Sequence, residues 1–505
     1  MLIKQSSLKQ TLVFITLTTA IVFIWSQIDS IKRLSDQHKP IVTPYETDPV
    51  SWPIQRQENE PILRQASLFP EAVFSEDNSQ PLPPVTAVIN RVDRNRQGVI
   101  ETIDHLSKYP FIKEIMIYNQ LIEKPLSLEN LSFTKPIQLI ETPLTNAGKF
   151  SVCANATYDH CYFQDDLWLD TYLDSLYTHS MRYPEHFVVH IRPSNYIDYM
   201  TWRFKNQANL LHTGYADLRY GAFVSRQKVK RFLNQVKVYG LDTNQLRFAD
   251  VYFSIWLNQY PYMITNALLS SGRDSFKQVD TVNNRKQVQH HIYQALTLLE
   301  AGLMSNISRK AFDTTSLMPT VKERDVRSSC FNDRCLFITN MSSMPDIESD
   351  QHFEFNSSLI TNISLYEQAV QNHILPSKTS FIHHYEGQAV DLNSKTCWRT
   401  LSNPKTGDYF GLYMTGDIQT KRIRIYTPYR FKQPLDKVFE VTAQYVMYGS
   451  WENCTIQLSP AQFSLIGFQL VCPYHQPIKS IRIIFRQDLQ ESFELCGLGI
   501  DNFVI

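Results

Sequence analysis

Two adjacent carboxylates, Asp165 and Asp166, are the residues of this sequence whose type and position best suit chemistry. They follow the strand-like stretch 161–163 (CYF), and ligands of an open α/β sheet bind outside the carboxyl ends of its strands. Adjacent carboxylates repel each other unless a cation neutralises them, and their hard oxygen atoms suit Mg²⁺ or Mn²⁺ carrying a diphosphate. The structural alternative is that the pair caps a helix starting at Leu167, because Asp is a favoured N-cap.

The sequence around this pair predicts an α/β domain. Residues 85–90 (VTAVIN) suit a buried strand, residues 99–106 have helical spacing, and residues 112–119 (IKEIMIYN) form a second apolar run. Strand, helix and strand within roughly 35 residues make a βαβ unit and hence a parallel sheet. Residues 137–142 (IQLIET) and 161–163 continue the alternation.

Composition narrows the class of protein. The chain has 505 residues with 49 basic and 49 acidic side chains, and this balance lacks the positive charge that nucleic-acid binding requires. An apolar content of 43% permits packed cores, and the length allows about three domains. Neither G-x-G-x-x-G nor G-x-x-x-x-G-K-[ST] occurs, so a glycine-rich phosphate loop is not predicted.

The C-terminal part predicts a different architecture. Residues 285–303 predict a helix with one apolar face, made by Val288, Ile292, Ala295, Leu296 and Leu299. Beyond residue 328, short strand-like stretches such as 335–339 (CLFIT), 421–427 (KRIRIYT) and 480–485 (SIRIIF) follow each other without helices between them. Strands at this spacing predict a β-sandwich over residues 329–505.

The N-terminus predicts a membrane anchor. Residues 11–28 (TLVFITLTTAIVFIWSQI) are uncharged and span roughly 27 Å as a helix, close to the hydrocarbon thickness of a bilayer. We therefore expect a cytosolic tail (1–10), a transmembrane helix (11–28) and a proline-bearing stem (29–83). A cleaved signal peptide is the alternative, but the apolar run is too long for one and no small-x-small site follows Trp25.

Cysteines and glycosylation signals indicate a lumenal location for the remainder. The eight cysteines can be paired by proximity, and seven N-x-[ST] sequons follow the anchor. The sequence contains no C-x-x-C pair, so the cysteines do not indicate a zinc site. Together these features favour an oxidising compartment and predict a single-pass type II protein of the Golgi membrane. The pairs are Cys153/Cys161, Cys330/Cys335, Cys397/Cys496 and Cys454/Cys472, and the sequons are at Asn130, Asn155, Asn306, Asn340, Asn356, Asn362 and Asn453.

Several blocks between residues 84 and 265 occur in an order that resembles the GT-A class of nucleotide-sugar-dependent glycosyltransferases, most nearly the exostosin type. They are AVINRVDRNRQGVIETIDHL, FIKEIMIYNQ, NAGKF, the strand ending in Asp165-Asp166, MRYPEHFVVHIRP, LHTGYADLRYGAF and RFADVYFSIWLNQYP. The resemblance implies a GT-A-like, Rossmann-like mixed sheet over residues 84–328. It also implies a nucleotide-sugar donor and a glycan or glycoprotein acceptor.

The resemblance further implies roles for the donor-site residues. Arg91 and Asp93 would contact the nucleotide, and Asn119 would close its pocket; a surface turn and a strand-terminal turn are the structural alternatives. Asp165 and Asp166 would meet the diphosphate through Mn²⁺ or Mg²⁺, with Asp166 as the catalytic metal ligand.

Three more residues are candidates on the same ground. Asp250 would be the catalytic base or would orient the acceptor, its alternative being an N-cap for a helix over residues 251–257. His212 and Arg192 are further candidate site residues, although a lone His is more often structural. Two positions depart from the family pattern: Leu167 replaces a usual third carboxylate, which leaves metal dependence open, and Ala249 stands where an acidic residue often occurs.

The C-terminal stretches AVDLNSKTCWRT, GDYFGLYM and FELCGLGIDNFVI resemble discoidin-like or galactose-binding-like β-sandwiches. In such a domain Trp398 and Trp451 could stack on a glycan, whereas the alternative for Trp398 is a core position. The sequence thus predicts a membrane-anchored, lumenal hexosyl- or hexosaminyltransferase. A catalytically inactive, lectin-like membrane protein and a glycoside hydrolase remain the alternatives.

Overall fold

In the computed structural model, the residues described here lie between 82 and 502. The gaps are 93–95, 124, 129–132, 142–144, 194, 197–201, 267–268, 271–281, 306–325, 332, 334, 345–354, 356–367, 369–371, 373–379, 392, 394, 419, 446–448, 459–464 and 474–477. The predicted tail, the transmembrane segment 11–28, residues 29–81 of the stem and Asp93 therefore lie outside the described residues. Within the described part of the chain, no helix is both long enough and apolar enough to span a bilayer.

The first part, residues 82–305, alternates strands and helices. In chain order its elements are β1 (Val85–Arg91), α1 (Arg96–Ser107), β2 (Ile112–Asn119), β3 (Ile137–Glu141), α2 (Gly148–Ala154), β4 (His160–Asp165), β5 (Trp168–Leu169), α3 (Leu173–Arg182), β6 (Val188–Ile191), β7 (Arg203–Asn206), β8 (Leu211–Gly214), β9 (Ala222–Ser225), α4 (Arg226–Tyr239), α5 (Thr243–Arg247), α6 (Ala249–Trp256), β10 (Tyr262–Thr265), β11 (Leu269–Ser270) and α7 (Val282–Met304). A short 3₁₀ helix, Leu218–Tyr220, precedes β9.

Seven of the described strands form one mixed sheet in the order β10-β6-β9-β4-β1-β2-β3. Strands β3, β2, β1 and β4 run parallel, whereas β9 runs antiparallel to both β4 and β6. The chain leaves β1 through α1 towards β2 on one side and later returns to place β4 on the other side. The gap between β1 and β4 is therefore a topological switch point, where ligands of open α/β sheets bind.

Burial explains why these segments become strands and helices. All seven residues of β1 are buried, as expected for a parallel strand covered on both faces. In α1 the residues Val99, Ile103 and Leu106 recur at helical spacing, and all three are fully buried in the core that β1 and β2 share. The predicted apolar face of α7 is likewise packed, with Ile292, Ala295, Leu296 and Leu299 fully buried. The βαβ unit predicted from the sequence is thus confirmed.

The second part, residues 326–502, is nearly all β. Its elements are β12 (Val326–Ser329), β13 (Cys335–Thr339), β14 (Trp398–Arg399), β15 (Tyr409–Ile418), β16 (Thr420–Tyr426), α8 (Leu435–Val438), β17 (Phe439–Gln444), β18 (Glu452–Leu458), β19 (Leu465–Val471), β20 (Ile478–Phe485), β21 (Glu494–Leu495) and β22 (Gly497–Asn502). Nine of its described strands form an antiparallel sheet in the order β12-β13-β15-β20-β17-β18-β19-β16-β22.

This sheet folds over itself into a sandwich. Strand β18 pairs with β17 in one half and with β19 in the other. Side chains from both halves, including Phe410 and Ile483 from one and Ile425 and Leu498 from the other, share one hydrophobic core. The all-β C-terminal part predicted from the strand spacing is confirmed.

Four disulfides connect all eight cysteines in the pairs predicted by proximity. Cys153–Cys161 joins the end of α2 to β4, with a Cα–Cα distance of 6.1 Å. Cys397–Cys496 ties β14 to the end of β21 in the sandwich. Full pairing of the cysteines fits an oxidising compartment.

The two parts of the chain meet at the start of α3. Asp333, in the short loop that Cys330–Cys335 closes, adopts a left-handed conformation with φ of 59°. Its two carboxylate oxygens accept hydrogen bonds from the backbone N–H groups of Asp174 (2.9 Å) and Ser175 (3.0 Å). These two N–H groups belong to the first turn of α3, where backbone N–H groups have no acceptor within the helix. The sandwich therefore supplies the cap of a helix in the α/β part.

We expect Asp333→Ala to lower the free energy of unfolding by about 2 kcal/mol for two reasons. The substitution removes the cap, and it places alanine, whose side chain cannot hydrogen-bond, in the left-handed region of backbone conformation. Asp333→Gly removes the cap but tolerates the backbone angle, so its loss should be smaller. Urea denaturation measures both, with the exposed Asp436→Ala as control. Stabilities equal to wild type for both variants would show that the cap contributes nothing.

Candidate active site

A pocket lies at the switch point between β1 and β4. Its volume is about 320 Å³. Side chains from the carboxyl ends of the strands and from three later segments line it: Asn90, Val92, Gln120, Thr145, Asn146, Asp165, Arg219, Arg247 and Asp250. Two predicted site residues, Asp165 and Asp250, are therefore brought together from positions far apart in the sequence.

Strand register fixes the floor of this pocket. Asn90 of β1 is paired with Asp165 of β4, and its Nδ2 donates to Asp165 Oδ1 at 2.8 Å. The side chain of Gln120, which follows β2, donates to Asn90 Oδ1. The Asn90 amide is thus oriented from both sides and holds the Asp165 carboxylate at the strand end. Asn90 and Gln120 lie within the quoted sequence blocks but were not among the predicted site residues.

The structure corrects the expectation for Asp166, which does not line the pocket. It is fully buried, and its Oδ1 accepts a hydrogen bond from the backbone N–H of Val92 at 3.0 Å. Its own N–H donates to the Asn90 carbonyl at 3.2 Å. Asp166 therefore stabilises the exit of the chain from β1, and of the adjacent pair it is Asp165 that faces the pocket. The helix-capping alternative is also wrong, because β5 follows the pair and α3 begins only at Leu173.

Asp250 is held by a buried ion pair. Lys149 Nζ lies 2.7 Å from Asp250 Oδ2, and both side chains are almost entirely removed from solvent. The other carboxylate oxygen, Oδ1, is buried without a hydrogen-bond partner among the described residues. Asp250 is the second residue of α6 and does not cap it, because the N-cap position is Phe248. The predicted alternative of a capping role for Asp250 is thus wrong.

Local packing places Lys149 beside this carboxylate. A Cβ on Gly148 would lie 2.2 Å from the ring of Tyr118 on β2, so only glycine allows α2 to begin this close to the sheet. Tyr118 in turn donates from its hydroxyl to the Thr145 carbonyl at 2.9 Å. The NAGKF segment therefore has a structural reason for its glycine, and its lysine is a site residue that the sequence analysis did not single out.

Burial dominates the ionisation of both pocket carboxylates. Removal from water raises the pKa of Asp165 to about 6, and the charge of Lys149 and the Asn90 hydrogen bond offset only part of that effect. Burial also raises the pKa of Asp250, opposed chiefly by Lys149. Neighbouring carboxylates raise both values further: Asp250 acts on Asp165, and Asp217 acts on Asp250. Lys149 is thus the chief counter-charge of both acids, and Arg219 lowers both pKa values to a smaller extent.

Two arginines give the pocket a positive side. Asp217 caps the 3₁₀ helix before β9 and holds the Arg219 guanidinium through Nε at 2.8 Å and Nη2 at 2.5 Å to Oδ2. Arg247 is exposed at the end of α5, three positions before Asp250, and no described residue hydrogen-bonds its side chain. Both arginines lie in quoted sequence blocks, yet neither was predicted as a site residue.

Arg91 and Asn119 hydrogen-bond to each other, and neither lines the pocket. Arg91 Nη1 donates to Asn119 Oδ1 at 3.2 Å, and Asn119 Nδ2 donates to Glu141 Oε1 at 2.7 Å. This chain of contacts links the ends of β1, β2 and β3, and both Arg91 and Asn119 are buried. Side chains alternate along a strand, so Arg91 points away from the face that carries Asn90.

The remaining predicted residues lie elsewhere. His212 belongs to the β7–β8 hairpin and packs against Tyr260, with ring centroids 3.7 Å apart. The Arg192 guanidinium lies 4.1 Å from the centre of the Trp168 ring. Neither lines the pocket.

In the sandwich, the glycan-contact expectation for Trp398 is corrected, because this side chain is fully buried and its indole donates to Ser343 Oγ at 3.2 Å. The core alternative for Trp398 therefore holds. Trp451 is half-buried, with the guanidinium of Arg482 4.0 Å from its ring centre.

The pocket residues do not fit a divalent cation. Asp166 is buried and holds a backbone N–H, Asp165 Oδ1 already accepts from Asn90, and the Lys149 ammonium occupies one side of Asp250. Across the described residues, no cluster of three His, Cys, Asp or Glu side chains could hold a metal ion. An ammonium so close to the carboxylates also repels a second cation. The expected Mn²⁺ or Mg²⁺ site at Asp165 and Asp166 is therefore not formed by these side chains.

Comparisons with known proteins give distant likenesses only. No protein-family profile and no curated protein matches the chain. Among solved structures, a mannosyltransferase from Pyrobaculum calidifontis in complex with GDP-Man and Mn²⁺ is 11% identical, over 46% of this chain and 73% of that one, with a TM-score of 0.27.

Two carbohydrate-related domains are also similar. A family 32 CBM of NanJ from Clostridium perfringens, in complex with galactose, is 15% identical over 23% of this chain and 85% of that one, with a TM-score of 0.19. The C-terminal domain of a chitobiase from Bacteroides fragilis is 14% identical over 24% and 84%, with a TM-score of 0.20. At TM-scores this low, these likenesses assign neither a family nor an activity to the chain.

We expect Lys149→Met to destabilise the protein by about 3–5 kcal/mol, because it leaves Asp250 buried without its partner. The double variant Lys149→Met/Asp250→Leu should recover most of that loss, since both buried charges are then removed. Thermal unfolding midpoints measure the difference, with the exposed Lys237→Met as control. A double variant as unstable as the single one would show that the ion pair is not the cause.

We expect Asp165→Asn to stabilise the protein at about pH 8. The pKa of Asp165 is raised from 3.8 to about 6 in the folded protein, so its ionised form costs stability above that range, by up to about 3 kcal/mol. The gain should shrink as the pH falls through 6 and disappear near 4, where wild-type Asp165 is protonated in the fold. Unfolding curves across this range, with the exposed Asp104→Asn as control, test the sign.

Proposed function

We propose that the chain is a glycosyltransferase that moves a sugar from a nucleotide-sugar donor to a glycan or glycoprotein acceptor. The observation that carries the proposal is the pocket at the β1/β4 switch point, where two carboxylates, Asp165 and Asp250, face two arginines, Arg219 and Arg247. The GT-A-like block order of the sequence supports the same function. The carboxylates can serve the acceptor and the sugar, and the arginines suit an anionic leaving group.

In the transfer step, the bond between the anomeric carbon and the diphosphate oxygen breaks, and its electron pair stays on the nucleoside diphosphate. The acceptor hydroxyl oxygen forms the new bond to the anomeric carbon. Its proton passes to Asp250, whose Oδ1 is the carboxylate oxygen that no described residue occupies. Lys149 on Oδ2 fixes the orientation of this carboxylate.

The two arginines favour a transferase over a hydrolase. A glycoside hydrolase also places two carboxyl groups about a scissile bond, and Asp165 and Asp250 share one pocket. A neutral glycan substrate, however, gives Arg247, whose side chain has no hydrogen-bond partner among the described residues, no anion to bind. A nucleotide-sugar donor supplies that anion.

A catalytically inactive, lectin-like protein is the second candidate. The features that favour it are Leu167 and Ala249, which replace usual acidic positions, and the burial of Asp166. Binding of sugars without release of nucleotide would distinguish it from the transferase.

Location follows as part of the same proposal. We infer a type II protein of the Golgi membrane, anchored by residues 11–28 with its C-terminal part in the lumen. The four disulfides support an oxidising compartment.

The test is to incubate the full-length protein with a panel of nucleotide sugars and candidate acceptors and to measure the free nucleotide released. We expect turnover with at least one donor, and Asp250→Asn should lower it about a hundredfold or more because the base is lost. Asp104→Asn, on the exposed face of α1, should turn over as wild type. Glycan binding with no nucleotide release for any donor would favour the lectin-like protein.

A further inference from the structure

The two arginines of the pocket support an inference that extends the proposed function and rests on it. We propose that Arg219 and Arg247 bind the negatively charged diphosphate of the donor in place of a divalent cation. Lys149, which does not line the pocket, neutralises the carboxylates. The enzyme would then bind nucleoside diphosphates and react in the absence of Mn²⁺ or Mg²⁺.

The charges around the pocket are divided between two layers. Lys149 is buried, does not line the pocket and is paired with Asp250, so its charge is spent on the carboxylates. Arg219 and Arg247 line the pocket itself. The inner layer thus provides carboxylates with their counter-ion already in place. In the outer layer Asp217 compensates the charge of Arg219 and holds its guanidinium at the pocket, whereas Arg247 has no carboxylate partner among the described residues.

Arg219 is oriented before any ligand arrives. Asp217 accepts from its Nε and Nη2, and the same carboxylate accepts the Arg219 backbone N–H at 3.0 Å. A guanidinium fixed in this way loses little rotamer freedom on binding.

Arg247 has a different environment, because it is exposed at the end of α5 and its side chain has no hydrogen-bond partner in the described part of the chain. It lies three residues before Asp250, so the turn between α5 and α6 places the base and this guanidinium on the same pocket. When the glycosidic bond breaks, the diphosphate gains one negative charge, and a guanidinium at that position stabilises it.

A divalent cation would have to share this site with Lys149. The ammonium already lies 2.7 Å from Asp250 and its charge also reaches Asp165. Asp166, the residue expected to hold the metal, is fully buried and accepts a hydrogen bond from the backbone N–H of Val92. Of the two residues expected to hold the metal, Asp166 is thus engaged with the backbone and away from the pocket, whereas the two guanidinium groups line the pocket.

The experiment measures binding of UDP, GDP and ADP to the full-length protein by calorimetry, in EDTA and in Mn²⁺. We expect at least one nucleotide to bind with a dissociation constant that differs by less than about twofold between the two conditions. Arg247→Gln should weaken that binding about tenfold or more in EDTA, and Arg247→Lys, which keeps the charge but not the fork, should lie between. Arg430→Gln, an exposed arginine of the sandwich, is the matched control and should bind as wild type.

The outcomes separate this inference from the proposed function. Nucleotide binding that is lost in EDTA and restored by Mn²⁺ would overturn the inference and leave the transferase proposal intact. Binding in EDTA that Arg247→Gln leaves unchanged would also overturn it. Failure of every nucleotide and every nucleotide sugar to bind in both conditions would remove the proposed function together with the inference.

Discussion

The parallel pairing of β1 with β4 is the constraint on which the candidate site depends. Because Asn90 is opposite Asp165 in this register, a single side-chain hydrogen bond of 2.8 Å holds the carboxylate at the strand end. A shift of the register by one residue would exchange the faces on which these side chains lie and would bring Asp166 towards the pocket. The Cys153–Cys161 disulfide and the packing of Gly148 against Tyr118 fix α2 relative to the same strands. The position of Lys149 in α2 is therefore determined by the sheet.

The energetic difficulty of the site is the burial of two acids side by side. Each would be costly to ionise alone, and burial raises the pKa of both. One ammonium reduces the cost for both but cannot remove it, so the site stores unfavourable electrostatic energy in the folded protein. A ligand that brings a hydrogen-bond donor to Asp250 Oδ1 relieves part of that cost. The electrostatic cost of the two buried acids and the attraction of a hydrogen-bond donor to Asp250 therefore have the same physical origin.

The region of the site could be predicted from the sequence better than its individual contacts. The βαβ unit, the apolar face of α7, the strands of the sandwich and the four disulfides follow from periodicity and proximity, which depend on short segments. Asp250 was expected and lies in the pocket, but choosing between Asp165 and Asp166 requires knowing where β4 ends, and one residue decides it. Lys149, Arg219 and Arg247 converge from three separate segments, and no spacing in the sequence shows that they meet. Trp398 was expected at a binding site because of its residue type and Arg91 because of the family resemblance, whereas tertiary packing buries both.

The carboxylate strand also reaches the sandwich through a continuous buried network. The Tyr162 hydroxyl of β4 donates to Gln164 Oε1 at 2.7 Å and lies 3.2 Å from Asp170 Oδ2, which also contacts His190 Nδ1 at 2.7 Å. The direction of the next bonds is fixed by a backbone donor: Ser329 N–H needs an acceptor, so Asn266 presents Oδ1 to it and directs Nδ2 to His190 Nε2 at 3.0 Å. His190 therefore accepts through Nε2 and donates through Nδ1 to Asp170. Because every bond in this chain depends on the orientation of the next, the position of β12 at the edge of the sandwich helps to fix the strand that ends in Asp165.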